Sequence, residues 1–177
     1  MVMRVAHIIS TFPPYRGGMG NVAYHLAWEL EQLGDHVSVF TPSTSGSSVR
    51  FDESMPFSVH RLQPLIWYGN SALVPQLLWK LKNFDVVHLH YPFFGGAEMV
   101  YLRNWIRPSK LVIHYHMDVI GEGLMKGMFA LHSKYLMPRI LRNAEKIIVT
   151  SMDYAQNSRI GDIVSEDRSK FIEIPLG

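Results

Sequence analysis

Nine histidines occur among 177 residues, and four of them form two His-x-His pairs, His88 with His90 and His114 with His116. Residues two apart on an extended strand share a face, so each pair places both imidazoles on one side of its strand. The inner members, His88 and His114, read as core histidines with satisfied nitrogens. The outer members, His90 and His116, are site candidates, and Asp118, two residues beyond His116, could orient its ring. Paired histidines with a carboxylate can also hold a divalent ion in a hydrolase. No further ligand stands at a recognisable spacing and nothing in the sequence makes the two pairs converge, so no metal ligand is assigned.

A second stretch with chemical potential is Ser10 to Asn21, STFPPYRGGMGN. Pro13 and Pro14 force extended backbone, and Gly17, Gly18 and Gly20 then allow a tight turn with nothing in front of the amides. A helix starting among these glycines directs unpaired N–H groups and the positive end of its dipole at whatever lies above the sheet edge, a place suited to phosphate or a polar sugar. A glycine-rich turn with no ligand is the equally simple alternative. Gly18, Gly20 and Ala23 formally satisfy the G-x-G-x-x-G/A dinucleotide pattern. Seven residues separate Ser10 from Gly18, however, and HVSVFTP at 36–42 ends without an acidic residue for a ribose, so a nicotinamide cofactor is not expected.

These groups must be held by strands and helices in alternation. Strands are predicted at Arg4–Ser10, Val37–Thr41, Phe57–Leu62, Asp85–Tyr91, Lys110–His116, Glu145–Thr150 and Lys170–Ile174. Helices are predicted from the loop glycines, with an apolar stripe from Val22 onward, to a stop at Gly34, at Ser71–Lys82, Gly95–Ile106, Leu124–Asn143 with an interruption at Pro138, and Met152–Arg159. Strands apolar through both faces and alternating with helices define an α/β, Rossmann-like, doubly wound and mainly parallel sheet of about seven strands. Such sheets bind ligands at the C-terminal ends of their strands. There stand Ser10 and Thr11, His90 and Tyr91, His116 and Asp118, and Thr150 and Ser151.

The length suits one domain. A net charge of +2 gives no electrostatic footprint for nucleic acid. The absence of cysteine excludes disulfides and thiolate metal sites and fits a reducing, cytoplasmic setting. Met1–Ser10 leads straight into the strand pattern and reads as strand, not signal peptide. Charged residues make up 18%, below the roughly 25% of ordinary soluble domains, hinting at surface not meant to face water alone. One face carries Arg103, Trp105, Arg107, Lys110, Lys126, Phe129, Lys134, Tyr135, Arg139, Arg142 and Lys146 with Met125, Met128 and Met137. Cationic helices with aromatic partners can lie peripherally on anionic membranes, although a solvated basic face beside a core stripe is the preferred reading.

The ordered segments FPPYRGGMGNVAYHLAWELEQLGDHVSVFTP, DVVHLHYP, VIHYHMD, ILRNAEKIIVTSMDYAQNS and IPLG resemble the N-terminal half of retaining GT-B glycosyltransferases of family 4. The resemblance runs almost from end to end. It implies two Rossmann-like domains facing across a cleft, with residues 1–177 as the N-terminal, acceptor-side domain and the donor-binding C-terminal domain outside this sequence. It further implies transfer of a sugar from a nucleotide-diphosphate sugar to an acceptor hydroxyl of a saccharide, lipid or metabolite, with retention and front-face assistance by the leaving phosphate. No tightly bound cofactor and no strict metal requirement are implied. The loop at Gly17 and Gly18 would approach the donor diphosphate, His116 in HMD would lie beside the reacting sugar, and Asp118 would support it. Ser10, Thr11, Arg16, Asn21 and His90 are candidates for the acceptor side or for positioning the loop. The family's donor-side arginine and lysine and its Glu-x7-Glu element belong to the other domain, so these 177 residues alone are expected to be inactive. Alternatives are a metal-dependent hydrolase using the histidine pairs and a non-catalytic sugar- or membrane-binding domain.

Overall fold

The computed structural model describes residues 2–46, 49–119 and 125–175. In chain order the elements are β1 (Arg4–Ile8), α1 (Gly18–Gln32), β2 (His36–Pro42), α2 (Val49–Glu53), β3 (Ser58–Leu62), β4 (Ile66–Tyr68), β5 (Ser71–Leu73), α3 (Leu77–Lys80), β6 (Val86–Tyr91), α4 (Ala97–Ile106), β7 (Lys110–Tyr115), α5 (Met125–Tyr135), α6 (Met137–Asn143), β8 (Lys146–Val149), α7 (Met152–Asn157), α8 (Gly161–Glu166) and β9 (Phe171–Glu173). Seven strands form one parallel sheet in the order β3-β2-β1-β6-β7-β8-β9, as the alternating pattern predicts. The winding reverses between β1 and β6, and this switch point is where such a sheet opens a crevice.

Side-chain alternation divides the interior into two layers. On one face Val5, Ile9, Val37 and Val39 pack with Ala23 and Ala27 of α1 and with Phe12 and Phe57. On the other, Ala6, Ile8, Val87, Leu89, Leu111, Ile113, Ile147 and Val149 meet residues of α3, α4, α6, α7 and α8. His7 has the parity of Val5 and Ile9, and His88 and His90 oppose Val87 and Leu89, so the histidines share the α1 side of the sheet.

Several elements depart from the sequence expectation. Ser71–Lys82 is not one helix: Ser71–Leu73 pairs antiparallel with Ile66–Tyr68 around Gly69, whose φ is +62°, and only Leu77–Lys80 is helical. Pro75 holds the preceding residue extended, and Ala72, Val74, Leu77 and Leu81 reach the core without a continuous helix. Gly95, at φ +82°, lets the chain pass this hairpin, since a Cβ there would lie 2.6 Å from the Ala72 carbonyl oxygen. The long predicted helix is divided at Leu136, with Pro138 in the first turn of α6. α2 and α8 have no counterpart in the predicted elements, whereas α1 begins at Gly18, among the glycines as expected. Leu124, Ser47, Ser48, Leu176 and Gly177, and the side chains of Met125, Lys126 and Met128, lie outside the described residues. No helix among the described residues is long and apolar enough to cross a membrane.

Candidate functional site

The parallel register brings the two histidine pairs together: His90 lies opposite His114 on β6 and β7, and His7 of β1 lies opposite His88. Five imidazoles therefore stack across three neighbouring strands, with ring centroids 4.7 Å apart for His7 and His88, 4.7 Å for His88 and His90, and 4.1 Å for His114 and His116. His90 Nδ1 is 3.0 Å from His116 Nε2, and its Nε2 is 2.9 Å from His7 Nδ1. The inner histidines are buried as expected, but their nitrogens are not satisfied. His88 Nε2, both nitrogens of His114 and His7 Nε2 have no hydrogen-bond partner among the described residues. The apolar strands around them offer few polar groups, so ring stacking takes the place of hydrogen bonding.

Burial disfavours the imidazolium form in every ring. It holds His7 at about 3, helped by the neighbouring His114, and His114 at about 4. His116 is pushed down to about 3 by burial and then by His114, while His88 and His90 lie well below the ordinary value for the same first cause. The cluster is a neutral stack at physiological pH. Two trios, His7 with His88 and His90, and His90 with His114 and His116, bring one ligand atom each within 4.8 Å. His90 belongs to both trios, and both of its nitrogens already engage neighbouring rings, so a cation entering either trio competes with a hydrogen bond between histidines.

His90, a candidate for acceptor contact, is 0% exposed beneath His116 and cannot touch an acceptor. His116 stands at the outer end of the series, half-buried just past β7. Asp118 does not orient it. The Asp118 carboxylate accepts from the Tyr115 hydroxyl and from Arg159 N at 3.2 Å, while its own N–H donates to Tyr154 Oη at 3.0 Å. Tyr115 belongs to the opposite layer of the sheet, which draws the carboxylate away from the histidines.

The glycines of the loop separate into two kinds. Gly17 is the N-cap of α1 with no side-chain cap, at φ −163°, and the first turn carries no acidic residue. The early amides of this fifteen-residue helix are therefore left for an external acceptor. Gly18 is exposed, and a Cβ there would meet nothing within 4 Å. Gly20 is buried, and a Cβ would lie 2.9 Å from the Thr11 carbonyl oxygen, so Gly20 serves close packing of helix on loop. None of the three has positive φ, so left-handed backbone is not why they are glycine.

Beside the loop, a cavity of about 610 Å³ is lined by Ser10 and Thr11 together with Tyr15, Thr41, Arg61 and Trp67. Arg61 donates to Asp52 Oδ1 at 2.7 Å and Oδ2 at 3.0 Å and to the Pro13 carbonyl at 2.5 Å. Its charge is thus compensated, leaving a cavity of hydroxyls and aromatic surface. Arg16 and Asn21 are exposed and are not among its lining residues. His7, Thr41, Arg61 and Trp67 escape the sequence reading. For His7 the available signal was its parity with Val5 and Ile9, but only strand order could reveal its neighbours.

Among the described basic and aromatic residues, Lys134, Tyr135, Arg139 and Arg142 line one surface pocket, but not all of the others share it. Arg103 is buried and donates to Ser109 Oγ and the Leu81 carbonyl, each at 2.6 Å. Arg142 pairs with Glu166 at 2.7 Å, Lys146 donates to Ser169 O at 2.9 Å, and Phe129 packs on Phe94.

Residues 16–170 match the family described as Glycosyltransferase Family 4. No curated protein sequence matches the chain significantly. Among solved structures, the chain superposes on Anabaena Alr3699/HepE in complex with UDP and glucose, with a TM-score of 0.70 at 14% identity, covering 99% of this chain and 44% of that one. The same protein in complex with UDP-glucose gives 0.62 at 14% identity, and with UDP 0.62 at 15%, with the same coverage. The chain thus spans less than half the length of the structures it resembles, and the likeness establishes the shared fold.

Proposed function

The chain belongs to Glycosyltransferase Family 4, whose match spans residues 16–170, and on that premise we propose that it is the acceptor-side half of a retaining GT-B glycosyltransferase. The reaction is transfer of a hexose from a nucleotide-diphosphate sugar to an acceptor hydroxyl on a saccharide, lipid or metabolite. A second Rossmann-like domain of the same protein supplies most donor contacts. The observation that carries this reading is the uncapped N-terminus of α1 at the C-terminal edge of the sheet, beside the switch point and the 610 Å³ cavity. That Anabaena Alr3699/HepE, sharing the fold, is found with UDP and glucose supports a nucleotide sugar as the donor.

In this reading the amides around Gly17 and Gly18 stabilise the charge that develops on the leaving diphosphate. His116 contacts the transferred sugar as a neutral hydrogen-bonding group. Its pKa of about 3 leaves it too weakly basic to take the acceptor proton near neutrality, a step assigned to the leaving phosphate oxygen. Ser10 and Thr11 face the acceptor in the cavity. Asp118 supports the site indirectly by tying the end of β7 to α7 through Tyr154. No metal is required.

The test is titration of this chain with UDP-glucose, with and without divalent cations, followed by amide and histidine chemical shifts. Shifts centred on Gly17, Gly18 and His116 and independent of metal are expected. Metal-dependent shifts centred on His90 and His114 would replace this reading with the hydrolase. In parallel, the 177 residues alone should show no turnover, whereas the full-length protein should transfer sugar.

A further inference from the structure

His116, His90 and His7 form one hydrogen-bonded series across β7, β6 and β1. A neutral imidazole carries one ring proton, so the series has two self-consistent arrangements. In the first, His116 Nε2–H donates to His90 Nδ1 and His90 Nε2–H donates to His7 Nδ1. The proton of His7 then sits on Nε2, an atom that is buried and has no acceptor among the described residues. In the second, every donor is reversed: His7 Nδ1–H donates to His90 Nε2 and His90 Nδ1–H donates to His116 Nε2. His7 Nε2 is then a bare lone pair, and the proton of His116 moves to Nδ1, for which no hydrogen bond exists among the described residues. A buried N–H without an acceptor is the rarer kind of orphan in folded chains, which favours the second arrangement.

We propose that His7 and His90 are positioning residues that lock His116 as its Nδ1–H tautomer, so that the group offered at the strand end is a hydrogen-bond donor to an oxygen of the sugar substrate. The inference rests on the reading of His116 as a sugar contact for its purpose, but not for its geometry. Both hydrogen bonds lie within the protein and involve no substrate atom. His90, unable to reach any ligand, acquires a role through His116. His88 and His114 stack on the series without hydrogen-bonding to it and so do not set the tautomer. The buried rings also remain neutral as pH falls through the ordinary histidine range, which keeps one proton per ring over the working pH.

The test is nitrogen NMR of the full-length protein labelled in histidine, at pH 7.5 and without substrate. We expect His116 to carry its proton on Nδ1, with through-hydrogen-bond couplings from His90 Nδ1 to His116 Nε2 and from His7 Nδ1 to His90 Nε2. His7→Phe keeps a buried ring but removes the first donor, and should shift the His116 tautomer ratio by about fivefold or more, the scale of one hydrogen bond. His88→Phe should leave it unchanged. A proton on His116 Nε2, an even tautomer mixture in the unaltered protein, or missing couplings would overturn the proposal. So would one equivalent of Zn²⁺ that stays bound through gel filtration and abolishes both couplings, which would make the cluster a metal site. If the couplings are present but UDP-glucose leaves His116 unmoved, the tautomer lock stands and the sugar-contact reading falls. Should His7→Phe fail to fold, the couplings in the unaltered protein decide alone.

Discussion

The cavity beside β1 to β3 and the histidine stack over β1, β6 and β7 belong to one sheet, yet they treat charge differently. In the cavity, Arg61 is matched to Asp52 and to the Pro13 carbonyl, and Thr11 and Tyr15 reach the surface, whereas Thr41 Oγ1 is buried without a partner among the described residues. In the stack, five imidazoles are packed ring on ring and several nitrogens have no partner among the described residues. In the proposed reading the cavity exchanges its contacts with a ligand. The stack is built to stay neutral and fixed, and its intolerance of protons is the largest lever by which the two regions can be told apart.

Acid should break the stack first. The pKa values of His7, His88, His90 and His114 lie below the ordinary 6.5 in the folded protein, so the unfolded chain takes up protons first as pH falls. Their contribution is fully present above about pH 6.5 and is lost toward the folded values, at up to about 1.4 kcal/mol per histidine for each pH unit. Urea unfolding should therefore show a much lower midpoint at pH 5 than at pH 7.5, and equal midpoints would show that these rings are not buried as neutral species. His116→Ala in the full-length protein should lower kcat by about a hundredfold at unchanged fold, the scale of one aimed hydrogen bond in a transition state. An unchanged kcat would remove His116 from the reaction.

The loop between the two regions offers a finer contrast. Gly20→Ala should cost about 1–3 kcal/mol, because its Cβ would meet the Thr11 backbone at 2.9 Å. Gly18→Ala should be neutral or slightly stabilising, since its Cβ would meet nothing. Thermal melts of the two variants check this, and equal losses would contradict the division of the glycines into packed and open. On the cavity side, Trp67→Ala should raise the acceptor KM by no more than about tenfold with little change in kcat, as expected of a half-exposed stacking surface. A fall in kcat without a rise in KM would place Trp67 at the chemistry instead. The smallest effect concerns membranes. With Arg103 buried and Arg142 paired, co-sedimentation with anionic vesicles at low salt should not exceed that with neutral ones. Clear enrichment on anionic vesicles would restore a peripheral membrane role.

By itself the sequence determined the alternation of strands and helices, the parallel class of the sheet, the strand ends where polar residues gather and the shared face within each His-x-His pair. All of these are written in periodicities of two or three to four residues and in the placement of glycine and proline. Tertiary structure alone decided that the two pairs meet and that His7 joins them, because the register His7 to His88 and His90 to His114 depends on strands far apart in the chain. It likewise decided that Asp118 turns to Tyr115 and Arg159 instead of His116, that Gly20 is a packing glycine, and that Ser71–Leu73 is a strand. A local pattern states which face a side chain takes. Only the pairing of distant strands states what that face meets.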